Sequence, residues 1–156
     1  MATVEHVTNY IIARVVEDNH DLSLLKLQKL LYYVQAWYLV YNDGNPLFDN
    51  DFQAWVHGPV CREVYDRFNI KYRLYDSLSS EEIGDNLDVS GLSADELSFI
   101  DSVLDVYARY SGTQLEQLTH RELPWREARG NISPAARCEN IISRSVMKDF
   151  YAKRLK

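Results

Sequence analysis

Hydrophobic residues recur every three or four positions at the start of the chain, where Val4, Val7, Ile11 and Val15 line one face of a helix that Thr3 is placed to cap. Asp18-Asn19-His20-Asp21 interrupts this pattern with residues that favour turns. A second helix is predicted from near Ser23, running Leu24 to Tyr41. It carries Leu27, Leu30, Leu31, Val34 and Tyr38 on one stripe and Tyr33, Trp37 and Val40 on the next. A helix apolar over so much of its circumference belongs at the centre of a bundle, because a surface helix keeps a broad polar face. Asn42-Asp43-Gly44-Asn45-Pro46 ends it, with glycine supplying the left-handed backbone that helix ends favour.

Between that stop and Gly58-Pro59 there is too little chain for another helix of normal length, so Leu47 to Val56 predicts a short extended stretch. Pro59 suits the first turn of a third helix, where its missing N–H is not needed, and Val60, Val64 and Phe68 follow at fours to close that helix near Phe68. From Asn69 to Gly91 the periodicity fades and Asp and Ser accumulate, which predicts a loop, with Ser79-Ser80-Glu81-Glu82 nucleating a short turn. Ser93-Ala94-Asp95-Glu96 is a capping box for a fourth helix that buries Leu97, Ile100, Leu104 and Tyr107 and ends at Gly112. Thr113-Gln114-Leu115-Glu116 reads as a second box, opening a short helix with Leu115 and Leu118 inward, and Pro124 starts a further turn containing Trp125. The tail after Ser143 turns Val146, Met147, Phe150 and Tyr151 inward and Lys148, Lys153, Arg154 and Lys156 outward. The fold class is therefore mainly α: a single helical domain over 1–156, of six or seven helices, with a short extended segment before the third.

Length changes this picture little, since 156 residues fit one core of the usual size, which spans roughly 100 to 200 residues. The composition, 46% hydrophobic and 26% charged, is that of a soluble globular domain. Cys61 and Cys138 are far apart and form no CxxC pair, which argues against a zinc knuckle or disulfide framework and for a reducing cytoplasm. The start shows neither a signal peptide nor a long apolar run, so no membrane association is expected. A net charge of -6 argues against nucleic acid as a partner.

Candidate chemistry is sparse. His57 and Cys61 could pair as base and thiolate, and His57 with His120, or His120 with Asp49, could build a hydrolytic or metal cluster. The motifs for phosphate cradling, zinc hydrolysis and acyl transfer are absent from the sequence, and no cofactor is expected. Asp43, Asp49 and Asp51 read as a solvated turn rather than a cation site, lacking the pattern of an EF-hand loop. The aromatic content carries more: 11 Tyr, 3 Trp and 5 Phe supply a core and, beyond it, the residue types that protein interfaces favour.

Leu24-Leu25-Lys26-Leu27-Gln28-Lys29-Leu30-Leu31-Tyr32-Tyr33-Val34-Gln35-Ala36-Trp37 resembles the signature of the Panacea antitoxin domain, the group that includes SocA-like and phage-associated GepA-like proteins. Pro46-Leu47-Phe48-Asp49, Ala54-Trp55-Val56-His57-Gly58-Pro59-Val60 and Glu63-Val64-Tyr65 resemble its next blocks. Leu118-Thr119-His120 and Pro124-Trp125-Arg126-Glu127-Ala128-Arg129 resemble its C-terminal block. The resemblance implies a helical protein without enzymatic activity that neutralises a cognate toxin, usually encoded next to it, by direct binding. In some relatives it implies delivery of the toxin to a cytosolic protease. Self-association stays open, as does a hydrolase using His57 and His120. One partner surface is expected from the edge of the second helix, the His57 turn and the Trp125 turn, comprising Lys29, Tyr33, Trp37, Trp55, His57, Arg62, Tyr65, His120, Trp125 and Arg129. Alanine at Lys29, His57, Arg62 or Arg129 is expected to weaken toxin binding and spare folding, and the 69–91 stretch, which matches no family block, is the place for partner specificity.

Overall fold

The structure, a computed structural model, describes residues 2–83 and 87–155. Seven α-helices and one two-stranded hairpin are found among them: α1 (Val4–Glu17), α2 (Leu24–Tyr41), β1 (Gln53–Trp55), β2 (Gly58–Val60), α3 (Arg62–Phe68), α4 (Ala94–Tyr107), α5 (Gly112–Arg121), α6 (Leu123–Arg129) and α7 (Arg144–Ala152). The expected mainly helical class is the one observed.

Helix α2 is the axis of the molecule. Fourteen of its eighteen residues are buried, and α1, α4, α5, α7 and the hairpin all pack on it. Its start follows the sequence: the Ser23 hydroxyl accepts the Lys26 N–H, and the Thr3 hydroxyl does the same for His6 at the head of α1. Ser93 and Glu96 form the expected capping box of α4. In the expected loop, Ser80–Ile83 forms a 3-10 turn, and Leu78 donates to the Leu22 carbonyl while Leu24 donates to that of Asp76, setting Ser23 opposite Ser77. Residues 84–86 of that stretch, and Lys156 of the tail, lie outside the described residues.

Two boundaries differ from the sequence reading. The second capping box is Ser111 with Gln114, so Gly112 is the first residue of α5 and not the end of α4, which closes at Tyr107. Glycine suits the close approach there, since a Cβ would lie 3.1 Å from both the Lys26 nitrogen and the Ser23 hydroxyl, nearer than ordinary van der Waals contact. Pro59 lies in β2 and not in a helix; α3 begins only after Cys61. The reason is in the pairing. Ala54, opposite Pro59, donates its N–H to Asn140 and offers its carbonyl to Arg129, so it needs no partner on β2 and the missing proline N–H costs nothing.

Candidate functional site

The polar residues of the α2 block are inside the protein. The Lys26 ammonium donates to the carbonyl of Ala108 at the end of α4. Gln28 accepts the Cys61 N–H at 2.9 Å and donates to the Cys61 carbonyl at 3.2 Å, holding the entry to α3. Lys29 donates to the carbonyl of Pro59 at 2.9 Å, and Gln35 accepts the Leu47 N–H at 2.9 Å while donating to Phe48 at 2.7 Å. Each ties a non-helical stretch of backbone to the central helix, satisfying groups that burial would otherwise leave unpaired.

Below these clamps lies a buried carboxylate. Glu122 receives the hydroxyls of Tyr33 and Tyr151, both at 2.7 Å, and the Tyr32 hydroxyl lies 3.1 Å from that of Tyr151. Burial raises the Glu122 carboxyl above its ordinary value, against the lowering effect of the two tyrosine hydroxyls. The Tyr33 ring stacks on Tyr107 at 4.1 Å, and Trp37 donates to the Tyr107 hydroxyl at 2.8 Å.

Glycine at 58 has φ +100, and a Cβ there would sit 2.6 Å from Lys29 Cε and 2.9 Å from Thr119 Oγ1. This close approach closes the hairpin turn over the Lys29 stem. Burial pushes the Lys29 amine down to about 7, opposed by the charge of Glu116. On the outer side His57 Nδ1 stands 3.0 Å from Glu116 Oε1. His120 stacks on Trp125 at 4.0 Å, its pKa lowered chiefly by burial, and its Nε2 has no hydrogen-bond partner among the described residues.

Arg129 donates to the carbonyls of Ala54 at 2.7 Å, Ser133 at 2.6 Å and Ala136, and Trp125 donates to Trp55 at 2.8 Å. The α6 block thus fixes the hairpin from behind.

The ten residues expected to form one surface therefore separate. Lys29, Tyr33, Trp125 and Arg129 are buried, 5% exposed at most. Lys29, Tyr33 and Arg129, expected on the partner surface, direct their polar groups to neighbouring backbone or to Glu122 within the core. Trp37 and His120 are partly buried, Trp37 beside Tyr107 and His120 beside Trp125. Trp55, His57, Arg62 and Tyr65 come together at the surface. Trp55 meets Tyr65 edge-on at 4.8 Å, and the Arg62 guanidinium lies 5.6 Å over the Trp55 ring.

These four line a groove of about 590 Å³, floored by Leu24, Val56, Val60 and Leu74 with Tyr72, while Arg62, Arg73, Arg137 and Glu139 stand at its mouth. Sequence reasoning missed Arg73 and Arg137, which sit in stretches without periodicity, and Gln28, Gln35 and Glu122, whose polar side chains gave no sign of burial.

The arrangement is poorly suited to the chemistries considered from sequence. Burial and the neighbouring Glu63 carboxylate hold the Cys61 thiol up at about 12, so it is no thiolate for His57 to pair with. Asp49 and Asp51 both bond Arg144 at 3.2 Å, which removes Asp49 from the histidines. Among the described residues no group of three or more His, Cys, Asp or Glu could hold a metal ion, and no helix is long and apolar enough to cross a membrane.

The family described as antitoxin SocA-like, Panacea domain, matches residues 27–126. Antitoxin SocA of Caulobacter vibrioides is 31% identical over 125 residues, covering 76% of this chain and 66% of that protein, just short of two thirds of its length. No solved structure matches.

Proposed function

The chain belongs to the SocA-like, Panacea-domain antitoxin family, and from that premise we propose that it neutralises a cognate toxin by binding it directly, through the groove between the hairpin, α3 and the 137–139 segment. Family membership is the observation that carries the antitoxin reading. The groove supports direct binding, because a pre-shaped apolar recess with aromatic walls is what a protein contact needs to gain area at little entropic cost. The reading is of a cytoplasmic, non-enzymatic protein: His57 pairs with Glu116, His120 stacks on Trp125 and the Cys61 thiol donates to Glu63.

Among the sequence candidates, Trp55, His57, Arg62 and Tyr65 are assigned to partner contact. Trp37 packs beside Tyr107 and His120 beside Trp125, and Lys29, Tyr33, Trp125 and Arg129 hold the fold beneath. The toxin's gene is expected next to this one. Expression of the neighbouring reading frame alone should stop growth, and co-expression with this chain should restore it and yield a complex that co-purifies. Restored growth with no complex would turn the reading toward an indirect mode such as delivery to a protease. A harmless neighbour would remove the toxin reading.

A further inference from the structure

The groove floor and its mouth differ in chemistry. The lining is mostly apolar, with Gln28 and Lys29 buried beneath it and bonded to Cys61 and Pro59, whereas three exposed arginines line it in a chain whose net charge is -6. The acidic groups facing them are few. Glu139 accepts Arg137 at 2.9 Å and lies 3.4 Å from Arg62, and Asp66 lies 3.4 Å from Arg62. Asp76 bonds the backbone N–H of Arg73, but the Arg73 guanidinium has no acidic partner among the described residues. Of these carboxylates Glu139 alone lines the groove with the three arginines. Ile70, which follows the lining residue Asn69, is 94% exposed, apolar surface unused within the chain.

Arg62 and Arg73 fall within the family match of residues 27–126 along with most of the floor, whereas Arg137 and Glu139 fall beyond it.

Resting on the antitoxin reading, we infer that the groove takes an apolar segment of the toxin flanked by Asp or Glu, and that Arg73 and Arg137 select it by charge. The floor supplies affinity for aliphatic and aromatic anchors; the arginines supply steering and choice among partners. A nucleic acid fits worse, because most of the lining is apolar and Glu139 stands among the arginines where a phosphate would have to pass.

The test uses the full chain and a short fluorescein-labelled peptide in which Leu and Trp alternate with Asp and Glu, with a counterpart in which Lys replaces every acid. The acidic peptide should bind saturably, more weakly as salt rises, and the basic counterpart should not. Arg73→Glu with Arg137→Glu should weaken binding by about tenfold or more. Ile70→Asp, at a position too exposed to disturb folding, should weaken it in the same direction. Absence of saturable binding, equal binding of the basic counterpart, displacement of the peptide by oligo-dT, or indifference to the double charge reversal each overturns the inference. The double variant is also co-expressed with the toxin. Full rescue of growth by it refutes the charged lip and leaves the antitoxin reading intact, whereas that reading fails only if the native chain gives no rescue.

Discussion

At Lys29 a side chain that sequence reasoning places at a surface is enclosed, with one carbonyl partner and its amine pushed down to about 7 from an ordinary 10.5. Between those values the unfolded chain keeps the proton and the folded chain gives it up. Stability contributed by this group therefore rises with pH across that window, by up to about 1.4 kcal/mol per pH unit, and is flat below it. Lys29→Met should remove this slope, which denaturant titration at about pH 7 and about pH 10 measures; equal slopes in both proteins would show that Lys29 does not change its proton affinity on folding. Gly58 makes a second residue-scale prediction. Gly58→Ala forces a Cβ onto Lys29 and Thr119 at positive φ, and should cost roughly 1–3 kcal/mol in strain and a similar amount in displaced packing, read as a lower Tm. His57→Ala and Arg62→Ala, both exposed, should change stability by no more than about 0.5 kcal/mol.

Among the elements, α2 shows what the sequence makes legible and what it conceals. Its length, its cap and its central position follow from periodicity and from Ser23, and all are observed. The burial of Lys26, Gln28, Lys29 and Gln35 does not follow, because periodicity reports which positions are apolar and not which backbones will run alongside. A polar residue on a buried face is explained only by an unpaired carbonyl or N–H brought there by tertiary structure. The same holds for the hairpin: Pro59 has two local readings, a helix start or a strand edge, and the choice is made by Asn140 and Arg129, some eighty and seventy residues away. Gln35→Leu tests this scale. It strands the Leu47 N–H and the Phe48 carbonyl without partners, and should cost roughly 1–3 kcal/mol for each group left unpaired. Urea unfolding midpoints unchanged from the native chain would mean that water or another group takes over the clamp.

For the whole molecule, the groove proposed as the binding site is assembled from parts that no single stretch announces. The hairpin gives Trp55 and His57, α3 gives Arg62 and Tyr65, the following turn gives Arg73, and the segment before α7 gives Arg137 and Glu139. The family blocks point to the hairpin; the lip is visible only once the chain is folded. The account stands or falls on whether this groove is where a toxin sits. The most direct measurement is calorimetric titration of the purified neighbouring gene product into the native chain and into a Trp55→Ala/Arg62→Glu double variant, with thermal melting to verify that both are folded. The predicted result is a stoichiometric complex with the native chain and loss of about tenfold or more in affinity for the double variant, at nearly unchanged Tm. Equal affinity for both folded proteins would contradict it and place the contact elsewhere on the surface.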